Sequence, residues 1–356
     1  MILLKEVDGH MRIAVLTGGG DCPGLNAVIR AVVRKSIMHY DWEVYGIKNG
    51  WAGYIKGDYE VLDLDKISGI LPKGGTILGT SRTNPFKQES GPERIRENAE
   101  KLGIDATVAI GGEDTIGVAY KLFKLGMPMV GVPKTIDNDL GGTDYTFGFD
   151  TAINIATEAI DRLHTTAESH HRVIVVEVMG RHTGWIAVWA GIAGGADVIL
   201  IPEKPFRVED VCDVIKRRHE RGKSFSIVVV AEGARFLTEG DSDGSLIVQD
   251  AQVDEFGHVR LGGIGNVLGR EIERRTGFET RVSVLGYVQR GGTPTAADRV
   301  LATRYGVKAC ELVKHGEFGK MVALKGNKII AVDMEEALEM KKVDMDVYEI
   351  ASLFFG

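Results

Sequence analysis

The feature that most constrains this sequence is an alternation of two kinds of segment. Short, almost unbroken runs of β-branched and aliphatic residues are separated by longer stretches with helical periodicity. Ile13–Thr17 (IAVLT), Glu43–Ile47 (EVYGI), Asp105–Ile110, Pro128–Val132, Val173–Val178, Asp197–Ile201 and Ser226–Ala231 read as strands. Helical patterns cover roughly 25–39, 91–102, 115–126, 149–169, 183–193 and 207–221. A strand that is apolar at every position must be covered on both faces, which points to an α/β fold with mainly parallel sheet. A long helical pattern near 147–170 can join two such α/β units, and 356 residues suit two domains or one large one. The acidic segment Thr238–Phe256 reads as a surface loop carrying a short hairpin.

Charge and cysteine usage narrow the function. There are 43 basic and 50 acidic side chains, a formal net charge of −7, which excludes a generally basic nucleic-acid binder but leaves room for a local anion site. Cys22, Cys212 and Cys310 are far apart and form no CxxC, so neither a zinc ribbon nor a disulfide framework is expected. Reduced thiols and a cytoplasmic location follow as the expectation. The N-terminal segment lacks the pattern of a signal peptide, and no apolar run approaches the ~18 residues of a membrane span.

In open parallel sheets, ligands bind beyond the carboxyl ends of the strands. Four polar turns lie there. The first is Thr17-Gly-Gly-Gly-Asp-Cys-Pro-Gly-Leu-Asn26, where bare backbone N–H groups and a helix start can face a phosphate; a tight turn would use the same glycines. No GxxxxGK[ST] occurs, so it is not a P-loop. The second, Lys73–Asn84, presents Arg82, which can bridge phosphate oxygens or simply be solvated. The third, Gly111-Gly-Glu-Asp-Thr115, offers carboxylates that cap a helix or hold Mg²⁺. The fourth, Pro133-Lys-Thr-Ile-Asp-Asn-Asp-Leu140, sets two carboxylates two residues apart, behind Lys134 and Thr135. One can take a substrate proton while the other orients metal or substrate; an Asx-turn would use the same residues. Further on, Glu177–His182, Ala231–Gly233 and Leu285–Gly292 each set charge beside glycine, and Arg172, Arg181, Arg281 and Arg290 suggest an anion site.

These motifs, TGGGDCPGLN (17–26), GGTILGTSR (74–82), GGED (111–114), PKTIDND (133–139), VEVMGR (176–181), AEG (231–233) and LGYVQRGG (285–292), together resemble the bacterial-type phosphofructokinase family. The resemblance implies two Rossmann-like α/β lobes with the active site in the cleft between them. A donor lobe would span 1–147, with about 290–356 packing back on it, and a fructose 6-phosphate lobe would span 148–290. It implies phosphorylation of the sugar 1-hydroxyl, with Asp137 as general base, Asp139 and Thr135 supporting it, and Arg181 neutralising the transferring phosphoryl group. Gly20, Arg82 and Gly112 would bind the donor, and Glu113 would associate with Mg²⁺. Met179, Gly180 and Glu232 would contact the sugar. Arg172 and Arg281 would bind the sugar phosphate of a neighbouring subunit, and Tyr287 and Arg290 would complete that pocket. A homodimer or homotetramer follows from such a shared site.

Three positions depart from the family's ATP-using pattern: Asp114 and Lys134 stand where glycines are common, and Val118 falls where a glycine lies beside the adenine. By the resemblance, Asp114 would occupy and repel the nucleotide α-phosphate. Two unit charges about 4 Å apart cost about 4 kcal/mol at an effective dielectric of about 20. At about 1.4 kcal/mol per decade this is nearly a thousandfold. Lys134 would supply charge to a leaving orthophosphate. The pair resembles the pyrophosphate-dependent subgroup, whose reaction should be readily reversible. An ATP-dependent or mixed-donor enzyme is the alternative, with a non-catalytic sugar-phosphate sensor behind it; a lipid or NAD kinase would lack the PKTIDND and VEVMGR segments. Tyr287 replaces a common histidine, and His164 and Phe225 replace residues of a nucleotide effector site, which puts such control in question.

Overall fold

A computed structural model describes residues 10–237 and 244–356. In chain order its elements begin with β1 (Arg12–Thr17), α1 (Leu25–Tyr40), β2 (Glu43–Ile47), α2 (Gly50–Lys56), β3 (Tyr59–Leu62), α3 (Gly91–Leu102), β4 (Ala106–Gly111), α4 (Glu113–Lys124), β5 (Met129–Thr135), β6 (Phe147–Gly148) and α5 (Phe149–His170). They continue with β7 (Val173–Val178), α6 (Trp185–Ala193), β8 (Val198–Leu200), α7 (Val208–Glu220), β9 (Ser226–Ala231), β10 (Arg235–Phe236), β11 (Ser245–Leu246), β12 (Val248–Val253), β13 (Val259–Leu261) and α8 (Ile264–Thr276). The last are β14 (Thr280–Val284), α9 (Ala296–Lys314), β15 (Lys320–Lys325), β16 (Lys328–Asp333), α10 (Met334–Ala337) and α11 (Met345–Ser352).

The chain divides into two compact units. The first takes the described residues up to Thr151, Asp254–Gly257 and Arg290–Met340; the second takes Ala152–Val253, His258–Gln289 and Lys341–Gly356. Residues 341–356 thus sit in the second unit, whereas the resemblance put all of 290–356 on the first. The reason is local. Trp185 Nε1 donates to the Lys341 carbonyl at 2.9 Å, Val343 N–H donates to Glu203 at 3.0 Å, and the Tyr348 hydroxyl donates to the Ile199 carbonyl at 3.0 Å.

The first unit is built on a sheet in the order β16-β15-β5-β4-β1-β2-β3, with β6 beside β5. Its central pairs are parallel, and antiparallel β3 and β16 close its edges. Ala14 and Leu16 share a core with residues of α2, α3 and α4, while the alternating Ile13 and Val15 are equally buried. That two-sided burial is why the strand sequence shows no polar alternation. The second unit holds an all-parallel sheet, β14-β7-β9-β8. Val173, Val175, Val228 and Val230 join α7 and α8 residues in its core. Of the acidic segment, 238–243 lie outside the described residues; Ser245–Leu246 pairs with Arg235–Phe236, and β12 pairs with β13.

The strand order of the first unit turns back at β1: β2 lies on one side and β4 on the other. That is the topological switch point where open α/β sheets bind ligands. It places the glycine turn after β1 next to the Gly-Gly-Glu-Asp turn after β4.

Candidate active site

In the first unit, the turn after β1 and the loop 73–82 form one body. Gly19 N–H donates to the Ser81 carbonyl at 3.0 Å, and the Thr80 hydroxyl donates to the Gly19 carbonyl at 2.6 Å. The Asn26 amide donates to the Lys73 carbonyl at 3.0 Å and accepts from Ile77 N–H at 2.8 Å. Arg82 is carried at the end of this loop, with Nη1 3.5 Å from Asp254. Packing requires glycine at position 18, because a Cβ there would lie 2.5 Å from the Thr115 hydroxyl oxygen.

The β4–α4 turn differs from the sequence expectation. Helix α4 starts at Glu113, two residues before the predicted start, with Gly112 extended as its N-cap. Glu113 and Asp114 are therefore helical first-turn residues, where the N-terminal dipole favours carboxylates. Glu113 is exposed and Asp114 half-buried.

Strand β5 also runs further than Val132. Gly111 pairs with Pro133, and Lys134 and Thr135 pair with Phe147 and Gly148 of β6. Lys134 is thereby a strand residue, only 3% exposed. Its ammonium donates to the Gly20 carbonyl, the turn after β1. Burial pushes its pKa below the ordinary lysine value; Arg290 adds to this, while Asp21 and Asp137 oppose it. Beyond β5 the chain turns sharply. Asp137 N–H donates to the Thr135 hydroxyl at 3.0 Å, and Asn138 adopts φ 52°, a conformation that asparagine tolerates. Asn138 Oδ1 accepts from Thr146 N–H at 3.0 Å, which pins the turn between half-buried Asp137 and Asp139.

Arg290, grouped with the sugar ligands in the sequence reading, belongs to this first unit. Its Nη1 donates to the Asp21 carbonyl at 3.4 Å, and a Cβ on Gly20 would come within 2.6 Å of it. Gly20, Lys134 and Arg290 are therefore neighbours.

In the second unit, the ends of adjacent strands β14, β7 and β9 surround a cavity of about 400 Å³. Met179, Glu232, Tyr287 and Asn266 line it. Met179 N–H donates to Gln289 Oε1 at 3.4 Å, and Glu232 N–H to the Val178 carbonyl at 2.8 Å. Arg181 has φ 27°, and its N–H donates to Glu232 at 3.3 Å. Gly233 allows this turn: a Cβ there would lie 1.7 Å from the Arg181 carbonyl oxygen. Arg172 and Arg281 are not among the cavity-lining residues; both are paired with Glu279.

Glu177 lies within VEVMGR, but the motif by itself gives it no role. Its carboxylate is 2% exposed, accepts from Gly263 N–H at 3.0 Å and Gly265 N–H at 2.8 Å, and so holds the N-terminus of α8 against the cavity. The signal was present as a lone carboxylate inside an apolar strand, a placement that demands partners.

A family model described as phosphofructokinase matches residues 12–313. The chain is 58% identical over 348 residues to the pyrophosphate–fructose 6-phosphate 1-phosphotransferase of Streptomyces coelicolor, covering 97% of this chain and 100% of that protein. It is 53% identical over 336 residues to the ATP-dependent 6-phosphofructokinase 3 of the same organism, covering 94% and 97%. Among solved structures, Pichia pastoris phosphofructokinase in the T-state matches with a TM-score of 0.82 and 33% identity, covering 97% of this chain and 36% of that chain.

Proposed function

The chain belongs to the phosphofructokinase family, and we infer that it transfers a phosphoryl group from pyrophosphate to the 1-hydroxyl of fructose 6-phosphate. The products are fructose 1,6-bisphosphate and orthophosphate, and the reaction runs readily in both directions. Both donor types occur among relatives above 50% identity, so the donor rests on particular residues. The observation that carries the reading is Lys134: a buried ammonium fixed on the Gly20 carbonyl, in the glycine turn at the switch point. A cation held there needs no reorganisation when charge develops on a leaving phosphate. Asp114 supports the same donor through the repulsion of a nucleotide α-phosphate.

Asp137 takes the proton of the sugar 1-hydroxyl, in a turn fixed by the Thr135 hydroxyl. Asp139 supports this turn, and Arg181 neutralises the phosphoryl group in transit. Gly20, Gly112 and Arg82 hold the donor. Met179, Gly180 and Glu232 contact the sugar, with Tyr287 beside them; Arg172, Arg281 and Arg290 supply positive charge for phosphate groups. Phosphoryl transfer relies on positioning and neutralisation rather than covalent chemistry, and this residue set supplies both.

The donor set also fits Mg²⁺. Glu113 presents a hard oxygen ligand at the start of α4. Mg²⁺ typically takes one or two carboxylates and completes its shell with phosphate oxygens and water. When bound, it neutralises charge on the transferring phosphate. A homodimer or homotetramer, with Arg172 and Arg281 serving a neighbouring subunit, completes the reading; a fully active monomer in sedimentation would contradict it. Among the described residues no helix is long and apolar enough to cross a membrane.

The test is initial rates with fructose 6-phosphate and Mg²⁺, using pyrophosphate or ATP, in the wild type and in Asp114→Gly/Lys134→Gly. Fast turnover with pyrophosphate, lost in the double variant, is expected. Fast wild-type turnover with ATP would reverse the donor assignment.

A further inference from the structure

Arg172 lies just before β7 and Arg281 within the neighbouring β14, with Val173 paired to Thr280. Both guanidinium groups reach one carboxylate oxygen: Arg172 Nη2 is 2.8 Å from Glu279 Oε1, and Arg281 Nη2 donates to the same atom. Val173 N–H donates to the Glu279 carbonyl at 3.0 Å, which fixes Glu279 beside Arg172. Arg172 Nε is buried and has no acceptor among the described residues, so that guanidinium keeps a spare donor. The Arg172 hydrogen bond is the main cause that holds the Glu279 carboxyl below the ordinary range, and His170 adds positive potential. Two positive charges therefore share one negative charge. A phosphate carries nearly two charges and three acceptor oxygens, and would match the two guanidinium groups better than a carboxylate does.

We propose that Glu279 is an internal anion that holds the site between Arg172 and Arg281 and is displaced by the 6-phosphate of the sugar, so that it sets sugar-phosphate affinity. The identity of the ligand rests on the proposed function; the displacement itself does not. In the single subunit Glu279 and both arginines are at least a quarter exposed. Each ion pair is therefore weak, and releasing both should change affinity by about three- to tenfold.

The test compares wild type, Glu279→Gln and Glu279→Ala, each also in an Arg172→Ala background. The expected result is a KM for fructose 6-phosphate lowered about three- to tenfold in both single variants, with kcat and the KM for pyrophosphate unchanged. The gain should vanish without Arg172. Thermal-shift titration with inorganic phosphate gives a second reading: tighter apparent binding in Glu279→Gln, again abolished by Arg172→Ala. An unchanged or raised KM for fructose 6-phosphate, or a gain that persists without Arg172, overturns the proposal. If no variant phosphorylates fructose 6-phosphate, the proposed function fails, while the phosphate titration still decides the role of Glu279: equal phosphate affinity in wild type and Glu279→Gln would refute it.

Discussion

Lys134 in the first unit and the Arg172–Arg281 pair in the second are held by opposite means. In the first, Lys134 is buried and its ammonium rests on a backbone carbonyl of the turn after β1. In the second, the Arg172 and Arg281 side chains are 27% and 55% exposed and are held by another side chain, Glu279. A buried charge held by a backbone carbonyl has no solvent to move into, and leaving that carbonyl would cost its desolvation. A charge held by a solvent-exposed carboxylate can exchange its partner for a ligand at little cost. The first arrangement suits pre-organised chemistry, and the second suits adjustable binding.

Several substitutions sharpen or break this contrast. The largest effect should come from Asp137→Asn in the fixed region. Loss of a general base lowers kcat by about 10²–10⁴-fold while the KM for fructose 6-phosphate stays nearly constant, measured by steady-state rates. If kcat fell by less than tenfold, Asp137 would not be the base, and the fixed region would lose its catalytic role.

Gly233→Ala probes rigidity in the second unit. The added methyl group would meet the Arg181 carbonyl oxygen, a backbone atom. We expect about 3 kcal/mol of destabilisation, near the upper end for overpacking, read as a lower urea midpoint. A midpoint equal to wild type would mean that the Arg181 turn is as adjustable as the Glu279 cluster.

Asp298 tests burial without a cationic partner. Its carboxylate accepts from Thr151 N–H at 2.8 Å and from the Thr151 hydroxyl at 2.6 Å. Burial nevertheless raises its pKa from 3.8 to about 6. The folded state therefore binds more protons than the unfolded state between these values, and stability falls as pH rises from about 4 to about 6. The full effect is about 3 kcal/mol, at 1.36 kcal/mol per pKa unit. Chemical denaturation across pH should show this loss in wild type and not in Asp298→Asn.

The smallest of these effects is expected for Glu177→Gln. Removing the charge at the start of α8 while keeping an acceptor should cost about 1–2 kcal/mol and raise the KM for fructose 6-phosphate without changing that for pyrophosphate. Equal changes in both KM values would deny Glu177 a role confined to the sugar cavity.

Much of this was legible in the chain. The unbroken apolar runs located β1, β2, β4, β7 and β9, because burial on both faces removes polar alternation. Other elements were not seen. In KMVALKGNKIIAVD the β15–β16 pair turns through Gly326–Asn327; β15 is short and flanked by Lys320 and Lys325, and β16 is mostly half-buried between exposed Lys328 and Asp333, so the apolar signal of both is diluted. Helix α9 mixes charge and apolar residues along its length, because it packs against α1 while also contacting β5 and β15. Within the site, the four polar turns were readable as turns, yet the sequence placed Lys134 in a loop where the structure puts it in a strand.

The fully buried strands, the residue types at their carboxyl ends and the family those motifs belong to were already fixed in the chain. These are local: two-sided burial marks each such strand with an unbroken apolar run, and each motif is contiguous. Tertiary structure alone decided which distant residues became neighbours. The strand order set β1 between β2 and β4, which brought the turn at 17–20 beside Glu113 and within reach of Lys134 and Arg290. The pairing of β14 with β7 brought Arg172, Glu279 and Arg281 together across more than a hundred residues. Neither juxtaposition has a periodic signal, because it depends on sheet order and register, which long-range burial selects.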